Sequence, residues 1–289
     1  MANGYTCDIA VRPLEKKLLD FTQRNGYDVE KVLTGLLDYI ICFLDPTGQP
    51  ADYWPFKTKD NEAFQDMMVC LFDILGTQIE KHGWYDAFGD LFMATHPRGN
   101  SKGQFFTPQC LCDLTAHCLL SHQEPVQMPR TPFGRRLTFS DPTAGSSRML
   151  LAAAHQQTRV MVEEWGYDET TAYARRPYLV AEDIDFNCCK MSAINIALHG
   201  YFGEVVCHDT LCEPDQVRVG YIINETMWPF PTDVPSIRKA NNPMSFISTR
   251  VWAAKKRENT EKVQPDKVAM LETPYTPPMQ TANQQLSLF

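Results

Sequence analysis

The stretch LTFSDPTAGSSRMLLAA, residues 137–153, decides the fold. Leu137 to Ser140 is a short β-prone run that ends on an acid, Asp141. DPTAGSS follows as a loop with one glycine, and SRMLLAA opens a helical pattern that continues to Gly166. Strand, tight loop and helix in that order form the first half of a parallel βαβ unit. Gly145 lets the backbone approach a ligand, and Ser146 and Ser147 can cap the helix, whose first N–H groups have no partner within it. This suits a nucleoside-type ligand, but any tight βα turn reads the same way. The flanks therefore carry the interpretation.

Downstream the unit repeats. RLTFSD (136–141), PYLVAED (177–183), GEVVCHD (203–209) and VGYIIN (219–224) are strand candidates. Residues 108–120, 147–166 and 186–200 are helix candidates, so 103–225 predicts an α/β core with parallel βαβ units. Upstream, residues 13–95 predict helices. Asp28 is the expected N-cap of VEKVLTGLLDYIICFL, and a second helix follows Asp60 and Asn61 and ends near Gly83. DPTGQPADYWPF between them is rich in turn residues. After residue 255 the chain becomes polar and proline-containing, a composition that predicts a disordered tail. The resulting division is a helical region over 1–98, a core over 99–254 and a tail over 255–289.

Composition narrows the function classes. With 44% apolar and 21% charged residues, the 289-residue chain is an ordinary globular protein with a sizeable core. No apolar run approaches the roughly 18 residues of a membrane span. The run Tyr39 to Leu44 is bracketed by Asp38 and Asp45 and reads as part of a core helix. Asp8 and the lack of Lys or Arg before Arg12 do not suit a signal peptide, so a cytoplasmic location is expected. Ten cysteines occur without C-x-x-C pairs, and they read as reduced thiols in apolar segments rather than metal ligands. A formal charge of −8 argues against tight DNA binding by the chain alone, although basic residues recur locally at Arg98 and Lys102, Arg135 and Arg136, Arg175 and Arg176, and Lys255 to Arg257.

Four segments stand in a telling order: GQFFTP (103–108), DPTAGSS (141–147), AEDID (181–185) and HDTL (208–211). Together they resemble the cofactor half of adenine-specific DNA N6-methyltransferases, closest to the modification subunits of type I restriction-modification systems. WYDAFGDLFM (84–93) is similar to the helix that precedes GQFFTP in those proteins. The resemblance implies a Rossmann-like class I methyltransferase core behind a helical region, with S-adenosylmethionine as cofactor, DNA as substrate and a specificity or partner subunit. It further implies that Thr107 and Pro108 lie against the methionine end of the cofactor, that Asp141 accepts from its ammonium and that Gly145 passes beneath it. Asp183 would accept from the ribose, Ile184 would pack on the adenine, and Asp209 would accept from the adenine amine. Read from the residues alone, Asp141 could serve as a cap, and Glu182 or Asp185 could stand in for Asp183.

One family element departs from the pattern. Adenine methylation needs acceptors that orient the target amine and an aromatic ring that stacks on the extruded base; the family supplies both with Asn-Pro-Pro-aromatic after a strand. Here VGYII ends in Asn224, the best positional match, but Glu225, Thr226 and Met227 replace the remainder. Trp228 or Phe230 could supply a ring, and Asn242-Pro243-Met244 carries half the motif. About thirty residues separate Asn224 from the tail, too few for the rest of a complete methyltransferase sheet. Two readings follow: an adenine-N6 DNA methyltransferase, or a noncatalytic relative that keeps the fold and cofactor site and works through DNA-associated partners. The last five residues, QLSLF, resemble the peptide by which bacterial polymerases and repair proteins dock on the sliding clamp, with Gln285, Leu286, Leu288 and Phe289 as contacts.

Overall fold

The computed structural model of the chain describes residues 9–45, 55–95, 104–120, 137–211, 218–224, 247–252 and 285–287. Helices come first: α1 (Arg12–Asn25), α2 (Val29–Leu44), α3 (Asn61–His82) and α4 (Ala87–Thr95). Their boundaries follow local chemistry. The Asp28 carboxylate accepts from the N–H groups of Glu30 and Lys31 and starts α2, while Gly83, at φ 82°, closes α3 in the left-handed conformation. Phe21, Tyr27, Phe56 and Phe64 form one aromatic knot in this region, with neighbouring centroids between 4.6 and 6.5 Å apart.

The α/β core continues with α5 (Gln109–Leu120), β1 (Thr138–Asp141), α6 (Arg148–Glu163), α7 (Glu169–Ala174), β2 (Tyr178–Asp183), α8 (Phe186–Leu198), β3 (Phe202–Cys207), β4 (Arg218–Ile223), β5 (Ile247–Trp252) and β6 (Gln285–Ser287). They build one six-stranded sheet in the order β5-β4-β3-β2-β1-β6. β1, β2 and β3 run parallel, joined by helical crossovers, as the alternating pattern predicts. Helix α6 packs on β1 and α5, whereas α8 packs on β2, β3, β4 and α2. A single apolar cluster links the helical region to the core. Two polar contacts reinforce that junction: Lys190 with Asp38 at 2.6 Å, and the Asn187 side-chain amide with Thr34 at 3.0 Å.

Two features differ from the sequence expectation. VGYII is a strand, but β4 pairs antiparallel with β3, with Gly203 opposite Ile223, and β5 continues as an antiparallel neighbour. The second concerns the expected tail. Gln285–Ser287 forms a short edge strand, β6, parallel to β1 with Phe139 opposite Leu286, so those three residues are ordered on the sheet. The remainder of 253–289 lies outside the described residues.

Candidate functional site

The carboxyl ends of β1, β2 and β3 bring most of the predicted residues together. β1 ends at Asp141, which is 2% exposed and accepts from the Thr143 N–H at 2.9 Å, making a turn rather than a helix cap. The loop then passes Gly145 at φ 56°; a Cβ there would lie 2.8 Å from the Phe106 ring, so glycine lets GQFFTP close over the loop. β2 ends at Asp183, whose carboxylate accepts from the N–H groups of Gly145 at 2.9 Å and Asp185 at 2.8 Å. Burial raises the carboxyl pKa of both Asp141 and Asp183; backbone N–H bonds oppose the rise at each.

The alternatives to Asp183 are otherwise engaged. Asp185 caps α8 through the Asn187 N–H and receives the Gln104 side-chain amide at 3.2 Å, which ties GQFFTP to the AEDID loop. Glu182 lies 3.2 Å from the His208 imidazole. Ile184, between Asp183 and Asp185, is 69% exposed. Asp209 follows β3, is exposed and accepts from the Leu211 N–H at 3.0 Å. Thr107 turns its carbonyl toward Arg148, and the Pro108 carbonyl receives the N–H groups of Leu111 and Cys112.

Ser146 and Ser147 do not cap α6 through their side chains. Ser147, at φ 66°, stands at the N-cap position without a side-chain cap bond and donates to Ser192 at 2.8 Å instead; the Ser146 hydroxyl donates to Asp86. That second bond leads to a network the sequence reading overlooked. Asp86 is 1% exposed and also accepts from Arg148 Nε at 2.8 Å, Asn195 Nδ2 at 2.8 Å and the Gly89 N–H at 2.8 Å. Arg148 reaches Asp90 at 2.6 Å and the Thr107 carbonyl at 3.0 Å, and Tyr85 donates to Asp90 at 2.8 Å. Burial opposes the Arg148 charge, but Asp86 and Asp90 outweigh it and hold the guanidinium protonated. The available signal was Asp86 just before α4 and Asp90 within it, four residues apart in an otherwise apolar stretch, with a lone arginine after the glycine loop.

Asn224 is elsewhere. Because β4 is antiparallel, its carboxyl end meets the amino end of β3, the opposite end of the sheet from Asp141 and Asp183. Asn224 is 2% exposed, has φ 59° and donates to the Tyr201 carbonyl at 2.7 Å. Strand direction, not sequence order, sets its position. Trp228, Phe230, Asn242 and Pro243 lie outside the described residues, as do Leu288 and Phe289. Of the basic candidates within them, Arg175 stacks on Tyr167, and Arg176 sits over Tyr173 and Tyr201 and donates to the His199 carbonyl at 2.9 Å. Both serve the fold.

The family model for N-6 DNA methylases matches residues 85–284. Among solved structures, the chain is similar to a protein from Listeria monocytogenes assigned as a class I S-adenosylmethionine-dependent methyltransferase, with 11% identity and a TM-score of 0.40, over 71% of this chain and 54% of that one. The chain thus spans about half the length of that protein. No curated protein matches. Among the described residues, no helix is long and apolar enough to cross a membrane.

Proposed function

The chain belongs to the N-6 DNA methylase family, and from that premise we propose that it binds S-adenosylmethionine at the carboxyl ends of β1 to β3 and is directed at adenine N6 in DNA. The observation that carries the proposal is the meeting of Thr107, Asp141, Gly145 and Asp183 beside the exposed Ile184. The residues present fit the cofactor. A carboxylate offers about four acceptor sites, more than the backbone amides of Gly145, Ile184 and Asp185 consume at Asp183. Its outward sites suit ribose hydroxyls, Asp141 suits an ammonium, and Ile184 gives the adenine face an apolar contact. Asp209, on the next strand end, suits the adenine amine. The cofactor, when bound, supplies a methyl group on a sulfonium. The chain's own residues orient it.

Calorimetry with S-adenosylhomocysteine tests this reading. Asp183→Ala should weaken binding by about 1–3 kcal/mol, the scale of a lost hydrogen bond to a charged group. A wild-type chain that binds neither cofactor nor product at millimolar concentration would remove the proposal.

A second reading, a noncatalytic relative that keeps the cofactor site, draws on the position of Asn224 at the far end of the sheet. In that reading a partner or specificity subunit supplies target recognition. Docking of QLSLF on the bacterial sliding clamp, through Gln285, Leu286, Leu288 and Phe289, fits either reading, because it concentrates an acidic chain near DNA.

A further inference from the structure

The Asp86 and Arg148 network touches both walls of the proposed cofactor site. Asp86 holds the glycine loop through Ser146. Arg148 holds GQFFTP through the Thr107 carbonyl. Asn195, from α8, donates to Asp86 and to the Ser146 carbonyl at 2.9 Å, and Ser192, also from α8, donates to the Gly145 carbonyl at 2.8 Å. Helix α4 makes room for the pair at Gly89, where a Cβ would fall 2.6 Å from Arg148 Nη2. Asp86 receives two donors on each carboxylate oxygen, so its acceptor capacity is fully used. Four converging donors and a buried counter-ion form a costly arrangement to maintain unless every member is satisfied.

We propose that Asp86 and Arg148 are positioning residues that fix the Gly145 loop and the Thr107 segment at the separation the cofactor requires. The inference rests on the cofactor reading above. Neither side chain touches the ligand; each acts through the backbone it tethers. A preformed cradle raises affinity because the loops lose less freedom on binding.

The test is calorimetric titration of the full chain with S-adenosylhomocysteine, at a temperature where thermal melts show each variant folded. Asp86→Asn turns an amide toward two donors, and Ser146→Ala removes one tether while leaving the ion pair in place. The expected losses in affinity are about tenfold or more for Asp86→Asn and about threefold for Ser146→Ala. Because both changes cut the same bond, the double variant should lose less than the product of the single effects. A purely structural role would lower the melting temperature and leave the dissociation constant of the folded fraction unchanged. Wild-type binding with both variants within about twofold of it would overturn this inference and leave the cofactor reading intact. An absence of wild-type binding overturns both. Should Asp86→Asn fail to fold, Ser146→Ala alone decides the matter.

Discussion

At the scale of single residues, Asn224 shows how position changes meaning. An asparagine tolerates a left-handed backbone better than most residues, and its buried amide satisfies the Tyr201 carbonyl. Asn224→Ala should therefore cost about 1–3 kcal/mol in chemical denaturation, from a lost bond and an unsatisfied buried carbonyl, with cofactor affinity unchanged. Asn224→Gly should recover part of that loss, since glycine suits φ 59°. A variant that stays fully stable yet loses cofactor affinity or methyl transfer would show the functional role that the geometry argues against. His199 makes a second case. Its Nε2 accepts from the Tyr85 N–H at 3.2 Å, so the proton sits on Nδ1 and points to the Asn195 carbonyl at 2.7 Å. Burial lowers its pKa to about 4 from 6.5, with the bond to the Asn195 carbonyl and then Asp86 opposing the fall and Arg176 and His155 adding to it. The sign follows from linkage. The unfolded chain takes up the proton first, so the neutral-His contribution is complete above pH 6.5 and is lost as pH falls toward 4. Melting temperatures should drop across that window by an amount equivalent to about 3 kcal/mol at most. His199→Gln should flatten the drop, and an unchanged profile would sink the assignment.

Individual elements were legible wherever local chemistry fixes them. The Asp28 cap, the Gly83 stop, the acids ending β1 and β2 and the helices between them all follow from residue order. Strand direction was not legible, because an apolar run such as VGYII reads the same whichever way the strand runs. The Asp86 network was missed for a related reason: an acid just before a helix reads as an ordinary cap, and only the fold brings Ser146, Arg148 and Asn195 to it. β6 was hidden by its length, since three residues carry no usable period. That strand creates a conflict. Gln285 and Leu286 pair with Thr138 and Phe139 on the edge of β1, yet they are also the residues expected to dock on the clamp. A strand cannot do both at once. A free peptide of the last ten residues should bind clamp with roughly micromolar affinity, and the full chain should bind more weakly because it must first give up the β1 pairing. Peptide with Leu288 and Phe289 changed to Ala should not bind. Equal affinity of chain and peptide would mean that the pairing does not compete.

The whole molecule joins a helical region to a sheet whose β1 edge carries the strand β6 and whose opposite edge is the antiparallel strand β5. Its charge of −8 opposes phosphate binding overall, and Arg175 and Arg176 are held against aromatic rings of the fold. Weak, salt-sensitive DNA binding follows, with affinity no better than the roughly 10⁻⁴–10⁻⁶ M of nonspecific binders. Methyl transfer needs both the cofactor and an extruded adenine oriented beside it. The proposed cofactor site answers the first requirement, while the best sequence match to the second faces the opposite end of the sheet. The isolated chain should therefore bind S-adenosylhomocysteine yet incorporate little or no tritiated methyl into mixed duplex DNA. A partner that binds DNA and carries target recognition should restore incorporation if transfer is a property of the assembly. Robust incorporation by the chain alone, lost in Asp183→Ala, would show that it supplies its own acceptor site and that Asn224 was the wrong residue to follow.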